Sequence, residues 1–388
     1  MASPVQPRQT LSTPGVTILS GMDGQIPAGL PVSAAPLAAH EKPGYRMCSY
    51  VKTFIKTDAG HIPIITSLLG KADLFSTFYV RCGINRHQYT VAPGLYGIGE
   101  PDKTSDVLVT ANFKLTFDHL RKALAHVNAW ILVLDTNGVN VWCAAGKGTF
   151  STRELVTRIK TTSLDKIVDH KRVIVPQLGA TGVSAKDVKT QSGFRVVYGP
   201  IRANDIPVFL QNHRIADKQM RQITFSLYER FILTPVEIQM ALKPSLIAII
   251  ALFILSGFGP GIFSFSGAWE RGVLAVYALV AGIISGAIAT PVLLPFIPSR
   301  AFALKGIIVG SIFAVLVLLP MANTINGIAG GLALFLFSVT ISSYLAMNFT
   351  GATPFTSPSG VEHEMKQYIP VQLACLAIST GLWIYAAF

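Results

Sequence analysis

The spacing of apolar positions changes character partway along the chain. Up to about residue 225, short β-rich runs alternate with stretches of helical spacing, whereas beyond Lys243 long apolar segments follow one another almost without charge. The first pattern predicts an α/β domain with a largely parallel sheet, because strands alternating with amphipathic helices bury best as βαβ units. Predicted strands are Val107–Thr110, Ile131–Leu134, Val139–Trp142, Val173–Val175 and Phe194–Val197. Between them the spacing predicts helices over Thr116–Val127, with Asp118 in an acidic first turn, and over about Thr152–Thr161. Ser151-x-x-Glu154 reads as a capping box for the second helix, each side chain satisfying an orphan N–H at the helix start.

The second pattern predicts an all-α membrane domain, residues 244–388, of five transmembrane helices. Its apolar segments, about 244–265, 272–293, 303–320, 327–347 and 369–388, are each long enough to cross a hydrocarbon core of about 30 Å. Residues 226–243 mix charged and apolar positions at near-helical spacing and read as an interfacial connector. Residues 1–45 are rich in Pro, Ala, Ser and Gly, with no basic region leading into an apolar run. They read as a disordered leader rather than a signal peptide, ahead of an α/β domain over residues 46–225.

Charge then orients the picture. Only 13% of residues are charged, about half the usual share, although the net charge is +12. Of the 32 Lys and Arg residues, five follow Gln239: Lys243, Arg271, Arg300, Lys305 and Lys366. With the α/β domain inside, four of these fall on the inner side and only Arg271 on the outer, which predicts a multi-pass protein of the cytoplasmic membrane with its C-terminus outside. No basic helix, aromatic RNA-binding pattern or Cys/His finger accompanies the positive charge, so it is read as facing anionic membrane lipid and not nucleic acid. The spans hold almost no ionisable residues, which favours an anchor over a conduit. Gly282, Gly286 and Pro291 loosen the second span or serve close helix packing.

Candidate chemistry centres on Asn140-Val141-Trp142-Cys143-Ala144-Ala145-Gly146-Lys147. Walker A phosphate binding fails there, since Val141 occupies the position of the first glycine and Gly148 follows the lysine. The dinucleotide fingerprint Gly-x-Gly-x-x-Gly is absent. Cysteines 48, 82, 143 and 375 are too scattered for a disulfide framework or a zinc site. A nucleophilic Cys143 needs a base, and sequence places none of His119, His126, His170 or His213 beside it. A buried structural thiol is an ordinary alternative. Metal ligation is the third: a cysteine starting a short helix, with Lys147 one turn on, sits where a thiolate is favoured. One protein ligand cannot hold a bare zinc, so a metal would arrive in its own macrocycle, a haem or a corrinoid. Neither Cys-x-x-Cys-His nor the corrinoid motif Asp-x-His-x-x-Gly is present, and the residues alone leave the alternatives open.

Weaker candidates surround this stretch. Thr110, Ala111, Asn112 and Lys114 fall where a strand end meets a helix, the crevice in which α/β sheets bind ligands. Asn112 could equally cap the helix. Gln177 and Gly179 belong to a loop, Gln177–Gly182, that follows a strand and could line the nucleotide tail of a cofactor or equally serve a turn. Cys48, Cys82 and Cys375 have no required partner as relay thiols, and Glu362-His363-Glu364-Met365 reads as a solvated loop before it reads as a metal site.

The Asn140–Lys147 stretch resembles the signature of the membrane corrinoid proteins of microbial mercury methylation, the HgcA family. The resemblance extends to Val107–Arg121, Pro176–Gly182, Tyr198–Arg202, Asn348–Gly360 and the five-span tail, and covers roughly residues 46–388. The α/β part is also similar to the corrinoid domain of the corrinoid iron–sulfur protein of the acetyl-CoA pathway. These resemblances imply a Rossmann-like corrinoid-binding domain holding a cobalamin-type corrinoid base-off, with Cys143 as lower axial ligand to cobalt. The other residues of Asn140–Lys147 form the cap over that face. They imply corrinoid-dependent methyl transfer to Hg(II), giving methylmercury, with the thiolate making the cobalt-bound carbon more carbanion-like; a radical route is also open. Co(I) would collect methyl from a folate-type donor. The implied partner is a ferredoxin-like protein with two [4Fe–4S] clusters, as electron donor and candidate Hg(II) donor. Two other readings stand beside this one: a corrinoid methyl carrier of one-carbon metabolism, and a membrane-anchored thiolate metal-binding protein without cobalt.

Overall fold

The computed structural model describes residues 48–388 except 354, 355 and 357, so the predicted leader lies outside the described residues. The chain runs β1 Val51–Thr57, β2 Gly60–Ile65, α1 Lys71–Arg81, β3 Gly94–Ile98, β4 Val107–Ala111, α2 Lys114–Ala123, β5 Ala129–Leu134, α3 Val141–Gly146, α4 Thr152–Thr161, β6 Arg172–Val175, α5 Ala185–Ser192 and β7 Arg195–Tyr198. It continues with α6 Ile206–Gln211, α7 Leu227–Phe231, α8 Thr234–Gly257, β8 Phe258–Gly259, β9 Ile262–Phe263, α9 Phe265–Ile283, α10 Thr290–Leu293, α11 Phe302–Leu318, α12 Gly327–Asn348 and α13 Pro358–Tyr385. Two compact units result. One holds the residues up to Leu68 together with His87–Val197, and the other holds Leu69–Arg86 with Tyr198–Phe388.

In the first unit seven strands form one sheet in the order β1-β2-β3-β5-β4-β6-β7. β4 pairs parallel with β5 on one side and β6 on the other, whereas β3 runs antiparallel to β5 and β1 antiparallel to β2. β2 and β3 also pair parallel, so the sheet is mixed, with parallel pairings in the majority among those described. Every residue of β4 and β5 is buried, which is why these strands read as unbroken apolar runs. The chain leaves β4 through α2 to reach β5, then passes back across β4 to reach β6. Strand order thus reverses at β4, the topology that opens a crevice beyond the carboxyl ends of the strands.

Three local expectations are corrected. Val139–Trp142 is not a strand: Asn137 and Gly138 turn the chain with φ of 55° and 70°, and helix α3 starts at Val141. Helix α2 begins at Lys114 and ends at Ala123, so Asp118 lies in its second turn. There it is buried between Lys114 Nζ and Arg121 Nε, each 2.7 Å away, and does not face solvent at the helix start. Only half of the capping box forms. Ser151 Oγ accepts from Glu154 N at 3.3 Å, but the Glu154 carboxylate accepts from Asp135 N at 2.9 Å and from Arg158.

Among the described residues of the second unit five helical stretches are long and apolar enough to cross a membrane: Leu227–Gly257, Phe265–Phe296, Phe302–Thr324, Gly327–Gly351 and Ser359–Tyr385. The first ends at Gly257 because Gly259, Pro260 and Gly261 fold into the β8–β9 hairpin, earlier than the predicted limit near residue 265. A single π-helical segment, Ile284–Ala289, interrupts the second. Gly282 and Gly286 lie against the α12 backbone at Ser338 and Ser342, and Gly306 of α11 against Ser342 and Ser343, so these glycines serve close packing. Glu362-His363-Glu364-Met365 is helical, not a loop. Glu364 Oε1 accepts from Ala303 N at the start of α11, and Glu362 pairs with Lys366.

Candidate functional site

The carboxyl ends of β4, β5 and β6 deliver three segments to one edge of the sheet: Asn112–Phe113, Asp135–Asn140 and Pro176–Gly182. Asn112, 5% exposed, organises the middle one. Its Oδ1 accepts from Thr136 N and Gly138 N, both at 3.0 Å, and its Nδ2 donates to Asp135 Oδ1 at 3.2 Å. The Thr136 hydroxyl lies within hydrogen-bond distance of both Asn112 Oδ1 and the Val139 carbonyl. Asn112 is thus a clamp on the turn leading to Cys143 and not a helix cap; Phe113 holds the N-cap position of α2.

The clamped turn feeds α3, whose N-cap Asn140 accepts from Cys143 N through Oδ1 at 2.9 Å. Val141, Ala144 and Ala145 are buried on the inner side of α3, while Trp142, Cys143, Gly146 and Lys147 are exposed. Cys143 is the one exposed thiol among the described residues. A Cβ added at Gly146 or Gly148 would meet nothing within 4 Å, so the surface around the thiol is open, and Gly148 has φ of +77°.

Below α3 the third segment is packed tightly. A Cβ at Gly182 would collide with the Phe150 carbonyl and approach Ala145 Cα, and one at Gly179 would strike the Phe150 ring. Thr152 N donates to the Gly182 carbonyl at 3.0 Å, and Ser184 N donates to Thr152 Oγ1 at 2.9 Å. Thr110 and Ala111 are buried in β4 beneath the edge, Gly179 is buried, and Gln177 is half-buried. Lys114 is buried on Asp118 and 3.3 Å from Tyr89 Oη, inside the fold and away from the exposed thiol.

Three of the four candidate bases, His126, His170 and His213, are elsewhere. His170 Nε2 lies 2.9 Å from the Ser105 carbonyl, just before β4, and His126 just before β5, so both sit at the opposite sheet edge from Cys143. His213 belongs to the second unit. Among the described residues no group of three or more His, Cys, Asp or Glu could hold a metal ion. Burial pushes the Cys48 thiol up, partly offset by its hydrogen bond with Tyr50. Asp135, Thr136 and Phe150 support the site without having been singled out in sequence, although Asn137-Gly138 is a turn signal that locates the loop of the first two.

The family described as CO dehydrogenase/acetyl-CoA synthase delta subunit matches residues 19–210. The gamma subunit of the acetyl-CoA decarbonylase/synthase complex of Methanopyrus kandleri is 34% identical over 128 residues, 32% of this chain and 27% of the relative. The gamma 1 subunit of Methanosarcina thermophila is 28% identical over 213 residues, 50% and 44% of the two chains. The corrinoid/iron-sulfur protein large subunit of Moorella thermoacetica is 31% identical over 114 residues, 29% and 25%. The chain spans between a quarter and under half of the length of these relatives.

Proposed function

We propose that this chain is a membrane-anchored, corrinoid-dependent methyltransferase that passes methyl to Hg(II), with Cys143 as the residue that would ligate the cobalt. The observation that carries the reading is the exposed Cys143 thiol, held on a capped turn at the reversal point of the sheet. Similarity to a corrinoid/iron-sulfur protein supports the cofactor class, and the resemblance of Asn140–Lys147 to the mercury-methylating family supports the acceptor. The residues present fit such a group: a soft donor stands clear of the fold, and Gly146 and Gly148 leave the surrounding surface open to a broad, flat partner. When bound, the corrinoid supplies a cobalt centre that carries methyl, chemistry no side chain offers.

The chain's own part is to hold and orient. Asn140 fixes the Cys143 backbone, Val141, Ala144 and Ala145 seat the helix, and Trp142 and Gly146 offer apolar contact and close approach. Lys147 offers a cation to an amide or phosphate of the cofactor. Thr110, Ala111 and Asn112 form the floor on which the turn rests, with Gln177 and Gly179 at the adjoining loop. Cys143 would hold the group through its cobalt in place of the corrinoid's own nucleotide base. Electrons come in this reading from a ferredoxin-like partner with two [4Fe–4S] clusters and methyl from a folate donor. In this reading the α/β unit is cytoplasmic, supported by the order of charges along the chain, in which Lys243, Arg300 and Lys366 alternate with the spans so as to fall on one side and Arg271 on the other.

The relatives' names favour a second reading, a corrinoid methyl carrier of one-carbon metabolism with another acceptor. Visible spectra of the full-length protein loaded with cobalamin test the shared part. A Cys143→Ala protein with the wild-type spectrum refutes thiolate ligation of cobalt, and failure of wild type to load leaves a cobalt-free thiolate protein. Anaerobic lysates given Hg(II) test the acceptor: methylmercury from wild type and none from Cys143→Ala supports the proposal. None from either favours the one-carbon reading.

A further inference from the structure

Helix α1 is out of place for an α/β domain. It is inserted between β2 and β3, yet Lys71–Arg81 belongs to the second unit with the apolar spans. Its sequence is Lys-Ala-Asp-Leu-Phe-Ser-Thr-Phe-Tyr-Val-Arg. Leu74, Phe75, Phe78 and Tyr79, at i, i+1, i+4 and i+5, share one face, and Asp73 and Val80 lie on the opposite one. Burial is the reverse of what a core-facing helix shows. Asp73 and Val80 are buried, whereas Leu74, Phe75, Phe78 and Tyr79 are 57, 68, 63 and 52% exposed, and Leu68 just before them is 77% exposed. Four adjacent large apolar side chains form a contiguous patch of a kind that a water-facing surface rarely carries, because leaving apolar area hydrated is unfavourable.

The position of α1 in the second unit says what covers that patch. Gly83, directly after the helix, lies against the Gln239 side chain of α8. Gln239 stands between Glu237 and Lys243, where the polar start of α8 gives way to the uncharged run beginning at Ser245. Arg81 is partly desolvated and lies within electrostatic range of the Tyr228 side chain of α7. Around these contacts Leu227, Tyr228, Phe231, Met240 and Leu242 are also exposed, and Lys71 is exposed on the same α1 face as Phe75 and Phe78. The apolar face of α1 therefore continues the apolar surface of the first span at the level where its charges end. An amphipathic helix at that level, with aromatic side chains and a lysine able to extend towards headgroups, has the chemistry of a helix lying in the membrane interface.

We infer that α1 is an in-plane membrane helix whose Leu74-Phe75-Phe78-Tyr79 face is covered by lipid. The chain thereby gains a contact with the bilayer that comes from within the sequence of the α/β unit. This inference rests on the five spans crossing a bilayer and is independent of any cofactor or acceptor.

Photo-cross-linking tests it. p-Benzoylphenylalanine is placed singly at Phe75, Phe78, Ser76 or Ile250 in the full-length protein, reconstituted in vesicles of phosphatidylcholine and phosphatidylglycerol, and adducts are identified by mass spectrometry. Ile250 is an exposed position of the first span and Ser76 lies off the apolar face of α1. The expected result is lipid adducts at Ile250, Phe75 and Phe78, with yields at Phe75 and Phe78 at least about fivefold above Ser76. Lipid adducts at Ile250 with none at Phe75 and Phe78, or with protein adducts in their place, overturn the inference. Equal yields at Phe75, Phe78 and Ser76 also overturn it, because no face would then be selected. Absence of lipid adducts at Ile250 removes the membrane placement itself, and the inference falls with it.

Discussion

Asn112 shows how one side chain can set a site that it does not itself expose. Its amide joins four backbone or side-chain groups of the Asp135–Gly138 turn, and Thr136 within that turn is completely buried. Replacing it with alanine strands the Thr136 and Gly138 N–H groups. Asn112→Ala is expected to destabilise the α/β unit by about 2–4 kcal/mol, from the cost of leaving buried donors unsatisfied, and to loosen Asn140 and Cys143 beyond it. Denaturant titration followed by tryptophan fluorescence checks the first effect. Weakening of the cobalamin spectrum set by Cys143 checks the second. Asp102 gives a pH-dependent signal of its own. Its carboxylate, bonded by Ser105 and Thr104, is held down at about 2 against an ordinary 3.8, while its carbonyl accepts from Trp130 Nε1 at 2.8 Å. A depressed carboxylate stabilises the fold above the unfolded value and loses that contribution as pH falls through the folded one. Wild type and Asp102→Asn should therefore converge in melting temperature between about pH 4 and pH 2, the contribution of an exposed carboxylate being small. A constant difference across that window would show that Asp102 does not titrate in this way.

At the scale of elements, the site depends on close packing between α3 and the Pro176–Gly182 loop. Gly182 faces the Phe150 carbonyl and Ala145, whereas Gly146 faces open space. Gly182→Ala should cost about 1–3 kcal/mol by overpacking, whereas Gly146→Ala should leave stability within about 0.5 kcal/mol of wild type, the range of an ordinary surface change. Equal melting temperatures for the two variants would contradict the packing. This pair also marks what sequence can convey. β4, β5 and β6 are legible because buried strands read as short apolar runs, and α4 is legible because its amphipathic period is sustained. Helix α3 is not, since six residues are too few to establish a period and the Val139–Trp142 run looks like a strand. The segment Asn140–Lys147 is still found by its residue types, although its support by Asn112 and Gly182 comes from segments that follow β4 and β6, distant in sequence. Helix α1 escapes for another reason: its apolar face is turned away from the protein core.

At the scale of the whole chain, two cations counted as loop charges turn out to be fastenings. Arg271 donates to the carbonyls of Ser256 and Phe258 at 3.1 Å and to that of Trp383, and its guanidinium lies 4.6 Å from the Trp383 ring centroid. It thereby joins the ends of the first and last spans to the start of the second. Lys305 Nζ donates to the Leu294 and Ile297 carbonyls, closing the end of the second span. Arg271→Ala is expected to leave those carbonyls and the Trp383 ring without their cation and lower stability in detergent by roughly 2–4 kcal/mol. Arg271→Lys should recover only part, because a single ammonium cannot reproduce the planar fork. Melting in detergent, read from Trp383 and the other tryptophans, measures both.

The insertion of α1 changes how the chain can be divided. Between the two units it passes from one to the other after Leu68, back after Arg86, and across again after Val197. Proteolysis within residues 198–226 therefore cuts one of three covalent links and leaves the α/β unit joined to Leu69–Arg86. Truncation before the spans removes α7 to α13 and leaves an aromatic helix without its neighbours. A water-soluble α/β fragment requires two excisions, the spans and residues 69–86, with a short bridge from Leu68 to His87. At the first of those junctions Arg121 already grips the Thr66 and Leu68 carbonyls, at 2.9 and 2.7 Å, so the bridge would start from a fixed end.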